Sequence, residues 1–129
     1  MGKFLSELEV KYIDGNYWEI IQPLIYQVND DGTDIITVPA GFVFDFASVP
    51  PVIRWLFPKS GKYDPAAGVH DWLYFKKDRP RKECDGIFCE AMKVLGVNAF
   101  TYQMMYWHLR LYGWIAWKWG KDKYNAGFK

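Results

Sequence analysis

No apolar run in this chain is clean enough to cross a membrane. The longest, Phe100 to Trp119, is interrupted by Gln103, His108, Arg110 and Lys118, too much polarity for a transmembrane span. The opening residues, MGKFLSELEV, hold neither an apolar core of signal-peptide length nor a small-residue cleavage site, so no secretory leader is expected. Excess charge is also missing. Against 16 Lys+Arg stand 15 Asp+Glu, which gives no electrostatic reason to expect nucleic acid or an anionic membrane as the main partner. Cysteine is scarce: the two residues, Cys84 and Cys89, lie five positions apart on one expected helix and point in different directions there, so they are read as reduced, buried thiols of an intracellular protein. A zinc site built on them would need partners at spacings the chain lacks. There is no phosphate loop, no GxSxG elbow, no HExxH, no nucleotide fingerprint, no internal repeat and no low-complexity segment.

What the chain does have is apolar and aromatic content, at 50% and 19% of its 129 residues. That suffices for one domain with one core. The pattern predicts an α+β fold: an N-terminal antiparallel sheet of three or four strands (about residues 1–46) packed against about four helices (about 48–120), with a polar tail at 121–129 expected to fray. Leu8 to Tyr12, Tyr17 to Tyr26, Ile35 to Val38 and Phe42 to Phe46 read as strands, with Asp14-Gly15 and Asn29-Asp30-Asp31-Gly32 as turns. Ser48 followed by Pro50-Pro51 opens a short helix. Asp64-Pro65 starts a second helix, reaching about Phe75. Pro80 starts a third, which Gly96 ends, and Asn98 caps a fourth running to about Trp119, where Gly113 allows a bend or close packing.

The chemistry-bearing residues fall in three segments. His70 and Asp71 lie mid-helix in AAGVHDWLYF. Asp85 lies three before Phe88 and seven before Met92, on or beside the buried stripe of the next helix. A buried carboxylate needs a partner, and a short loop makes the two helices antiparallel neighbours. A His70–Asp85 hydrogen bond of about 2.7–3.2 Å is therefore expected; it would fix the histidine tautomer and raise its basicity. Asp45, between Phe44 and Phe46, is read either as a turn residue capping the following helix or as a carboxylate reaching the same site from a strand end. Ser48 and Arg54 are supporting candidates, and Arg54 or Arg110 could pair with one of the acids. His108, on an aromatic stripe, reads as a packing residue.

VPAGFVFDFASVP, AAGVHDWLY and RKECDGIFCEAMKVLGV together resemble the family of unknown function numbered 1353, common in tailed bacteriophages and prophages. Its pattern is a VPxGFxxDfaSvP block, an HDxLY block, an aDxxF block and a final aromatic helix containing a glycine. The match runs from about Val38 to Gly113, with Cys84 where the family usually has alanine. The resemblance implies a phage or prophage origin, and hence host cytoplasm or virion, but no activity. The His-Asp dipeptide facing an aspartate on an antiparallel helix is also faintly similar to the phospholipase A2 superfamily. By that likeness His70 would activate water, Asp71 bind calcium and Asp85 orient His70. The helix-bridging disulfides and the glycine-rich calcium loop of that superfamily are absent.

Two main functions and one further one stay open. One is a metal-assisted hydrolase with His70 as base, Asp85 as its orienter, and Asp71 with Asp45 either holding a divalent ion of unspecified identity or acting as electrostatic stabilisers. The other is a non-enzymatic phage protein: a virion component, an assembly factor or an inhibitor of a host defence protein. There the Asp–His cluster would fix helix order, and exposed aromatics of the last helix, with Tyr106, Trp107, Trp114 and Trp117 as candidates, would bind a phage or host protein. A third possibility is a small-ligand or metal-binding module without turnover. No stable membrane insertion is expected.

Overall fold

The computed structural model of the chain describes residues 2–14, 17–45, 63–119 and Asn125, with the backbone alone at Asp45 and Trp119. Ser48, Arg54 and the helix expected to begin at Ser48 lie outside the described residues. Among the described residues six strands come first: β1 (Lys3–Phe4), β2 (Val10–Asp14), β3 (Tyr17–Ile20), β4 (Leu24–Gln27), β5 (Ile35–Val38) and β6 (Val43–Asp45). Three helices follow among the described residues: α1 (Asp64–Lys76), α2 (Arg81–Val94) and α3 (Ala99–Trp119). The class is α+β, as expected.

In place of the expected single sheet of three or four strands there are two three-stranded antiparallel sheets, ordered β1-β4-β5 and β2-β3-β6. The Tyr17–Tyr26 run, read as one strand, breaks at Pro23. Proline has no N–H to give a ladder, and the Ser6 hydroxyl stands in, accepting from the Ile25 amide at 2.8 Å and donating to the Pro23 carbonyl at 3.0 Å. Each sheet thus takes one half of three bent ribbons. The bends stay hydrogen-bonded to one another: the Ile21 amide donates to the Glu9 carbonyl at 2.8 Å and the Gly41 amide to the Ile20 carbonyl at 2.7 Å. β1 was not foreseen, since two residues are too short to show a period. The β4–β5 turn was, and its polar side chains close it, with Asp31 accepting from the amide and hydroxyl of Thr33.

The core lies where α1 covers β4, β5 and β6. Gly68 sets that approach: a Cβ there would come within 3.2 Å of the Leu24 side chain and 3.6 Å of the Phe44 ring. Val69 and Leu73 of α1 are buried with Ile20, Leu24 and Val38, each contributing about 1.5–3 kcal/mol by leaving water. A short connection, in which Lys77 takes a left-handed conformation with φ 54°, turns α2 back along α1. It is anchored to the β4–β5 turn by Arg79, whose two terminal nitrogens each donate to Asp34 at 2.7 Å. Asn98 caps α3 as expected, its Oδ1 accepting from the Thr101 amide at 2.9 Å. Asp64 is a first-turn residue and not the cap of α1; Tyr63 holds that position without a capping side-chain bond. The tail was expected to fray, yet Asn125 is buried. Its amide pairs with the Val43 backbone like a strand residue, accepting at 2.8 Å and donating at 2.6 Å.

Candidate functional site

The four-residue helical repeat puts His70 and Tyr74 on one face of α1, and Arg81 and Asp85 on one face of α2. These faces meet, and Arg110 reaches in from α3. Asp85, with no exposed surface, accepts from all of them. His70 Nε2 lies 3.0 Å and the Tyr74 hydroxyl 2.5 Å from its Oδ1. Arg110 Nη1 lies 2.8 Å and Arg81 Nη1 3.4 Å from its Oδ2. One carboxylate therefore ties the three helices together.

Arg81 also caps the backbone of α3 from the side, donating to the carbonyls of Leu109 at 2.7 Å and Arg110 at 3.3 Å. This close approach requires Gly113, where a Cβ would come 2.6 Å from the Tyr74 hydroxyl oxygen and 2.9 Å from Arg81 Nη1. Of the two roles open for that glycine, close packing is the one observed. Gly113→Ala is expected to push the Tyr74 hydroxyl off Asp85 and lower stability by about 1–3 kcal/mol, the usual cost of overpacking. A thermal melt unchanged from wild type would show that the helices can part without loss.

Burial alone would raise the Asp85 carboxyl, but hydrogen bonds from His70, Tyr74 and Arg110 outweigh it and hold the group below the ordinary carboxylate range. Burial pulls His70 the other way, below its usual value, against the opposing pull of Asp85, so the imidazole is neutral at pH 7. The Tyr74 phenol is pushed up by burial and by its bond to Asp85. Because an ionised carboxylate only accepts, His70 Nε2 carries the proton and Nδ1 the lone pair. Nδ1 lies 4.0 Å from Asp71 Oδ1, too far for a hydrogen bond. The ring is held between Tyr74 and Phe88, with centroids 4.1 and 4.8 Å away.

His70 and Asp85 thus meet at a distance inside the expected range, and Asp71 borders them. The Asp45 backbone ends β6 opposite Tyr17, but its side chain lies outside the described residues, as do Ser48 and Arg54. Among the described residues no three His, Cys, Asp or Glu side chains group to hold a metal ion. The sequence reading missed Tyr74 and Arg81. Both stand four residues from a singled-out residue on the same helix, which was the available signal. Arg110 was a named partner for one of the acids, and it is found on Asp85. His108 packs on Tyr112, with ring centroids 5.1 Å apart. Trp117, a surface candidate, instead meets Tyr74 edge-on at 5.2 Å. Cys84 is buried and unbridged, its thiol pushed up to about 11, chiefly by burial.

A family described as "Protein of unknown function (DUF1353)" matches residues 18–109. No curated protein and no solved structure matches the chain.

Proposed function

The chain belongs to the DUF1353 family of unknown function, and from the geometry around its buried carboxylate we propose that it is a hydrolase with His70 as general base. The observation that carries this reading is the division of labour on the imidazole. Nε2 is committed to Asp85 at 3.0 Å, while Nδ1 points toward the Asp71 carboxylate at 4.0 Å. A water held at Nδ1 loses its proton to that nitrogen as its oxygen attacks an acyl carbonyl. The imidazolium so formed is stabilised by Asp85, and the proton then passes to the departing group. Asp85 positions the ring, and Tyr74 and the two arginines hold Asp85. Asp71 and Asp45, both oxygen donors, suit a hard divalent cation, which would polarise the carbonyl; the proton transfers above do not depend on it. The bacteriophage origin implied by the sequence blocks is part of this proposal.

Burial favours a second reading. His70 is only 3% exposed, and a network closed to water suits a structural lock in a non-enzymatic phage protein. Assays against chromogenic acyl esters and phospholipid vesicles, with magnesium, calcium, manganese or zinc, separate the two. The hydrolase reading expects turnover whose stimulation by metal Asp71→Asn removes. A folded protein inert toward every substrate and metal leaves the structural lock standing.

A further inference from the structure

On the side of α3 turned away from the network runs a second apolar stripe. Phe100, Met104, Trp107, Leu111 and Trp114 recur at alternating spacings of four and three, the a/d seam of a coiled coil. Thr101, Met105, Leu109 and Gly113, on the opposite face, are the buried ones. Apart from Met104, half-buried against the core, the stripe is open: Phe100 is 60%, Trp107 61%, Leu111 63% and Trp114 50% exposed, with Tyr112 and Ile115 exposed at its edge. We propose that this face of α3 binds the same face of a second copy of the chain, the two helices antiparallel and related by a two-fold axis that crosses the open face between Trp107 and Leu111.

Three observations select a second copy. The first is area. Large aromatics bring roughly 150–250 Å² each, so the exposed fractions along the stripe amount to roughly 500–700 Å² per copy. That approaches the roughly 800 Å² per partner of a standard interface and lies at the upper end of the roughly 300–600 Å² of the largest apolar patch on a typical soluble monomer. The second is self-complementarity. Reversing the seam about its centre sets Trp107 against Leu111 and Met104 against Trp114 of the other copy, with each tryptophan meeting an aliphatic or thioether side chain, and Phe100 against the stem of Lys118. The third is charge. α3 contains no acidic residue, and Lys118 continues the seam at its C-terminal end. A parallel pair would bring the two Lys118 together, whereas the antiparallel pair keeps them about 27 Å apart at a rise of ~1.5 Å per residue. With no ion pair at its centre, the association should barely respond to salt.

Sedimentation velocity across a micromolar concentration series tests this on the full chain. Wild type is expected at twice the 15.2 kDa of one chain, unchanged in half-molar salt. Leu111→Glu is expected to sediment as a monomer with an unaltered circular dichroism spectrum. Adding Trp107→Lys to it should restore the dimer, because only the antiparallel arrangement sets the introduced lysine of one copy against the introduced glutamate of the other. A monomeric wild type, a Leu111→Glu dimer, or a double variant that stays monomeric would each overturn the proposal. So would a wild type that stays monomeric and co-pellets with phosphatidylglycerol–phosphatidylethanolamine vesicles, since the occupant would then be a lipid surface.

Discussion

Asp85→Ala is expected to cost about 3–5 kcal/mol, the loss seen when one partner is removed from a buried charged set. That is a large share of the ~5–15 kcal/mol that holds a domain of this size together, and the melting temperature should fall by well over ten degrees. Four groups lose their shared acceptor at once, although Arg81 keeps the Leu109 and Arg110 carbonyls. The guanidiniums of Arg81 and Arg110, which share Oδ2 as an acceptor, have only 20% and 23% of their side chains exposed, and the Nε2 proton of His70 and the hydroxyl of Tyr74 are left inside. The effect carries a pH signature. The folded carboxyl titrates below its ordinary value, so its stabilisation is complete above the unfolded value of about 4 and is lost as pH falls through the folded value. The gap between wild type and Asp85→Ala should therefore be widest near neutrality and close in strong acid. A gap of less than about 1 kcal/mol at pH 7 would mean that the arginines reach solvent, and that Asp85 is not the hub of the three helices.

The network was half visible in the sequence. Helix starts and stops bounded by Pro65, Pro80, Gly96 and Asn98 brought His70 and Asp85 to adjacent helices, and the apolar neighbours of both residues said that they would be inside. Arg81 was hidden because a long side chain can point along its own helix or across to another, and only the crossing point of α3, set by Gly113, decides which. The sheet was misjudged for a local reason. The strand-favouring aromatic and β-branched residues of Tyr17–Tyr26 outvoted Pro23, although one missing N–H is enough to send the two halves to different sheets. Asn125 could not have been found from its neighbours, because its partner, Val43, is distant in sequence and offers only backbone. The aromatics of α3 were expected on more than one face. Their split into an open seam at Trp107 and Trp114 and a covered Trp117 depends on where α1 ends, which no period within α3 records.

His70→Gln is expected to leave the fold nearly intact and to lower any hydrolytic rate by about 10²–10⁴, the usual contribution of a general base. The small structural cost follows from what remains on Asp85. Tyr74 still donates to Oδ1, and Arg110 and Arg81 to Oδ2, so losing the imidazole strands no charge. One hydrogen bond and some ring packing are lost, about 1–2 kcal/mol, clearly less than for Asp85→Ala. Burial holds His70 below its usual value. Below pH ~6.5 the unfolded chain takes up a proton that the native imidazole refuses. Wild type therefore loses stability as pH falls from ~6.5 toward the folded value, a loss His70→Gln does not share. The chain has two histidines, and His108 is present in both proteins, so the difference between their melts belongs to His70. On the hydrolase reading, the same depression keeps His70 neutral in mild acid, which places the acid limb of the pH–rate profile below ~6.5. A limb at or above that value, or a glutamine variant with the wild-type rate, would remove His70 from the chemistry. A variant that melts as badly as Asp85→Ala would make the histidine a strut of the helix lock and give precedence to the non-enzymatic reading.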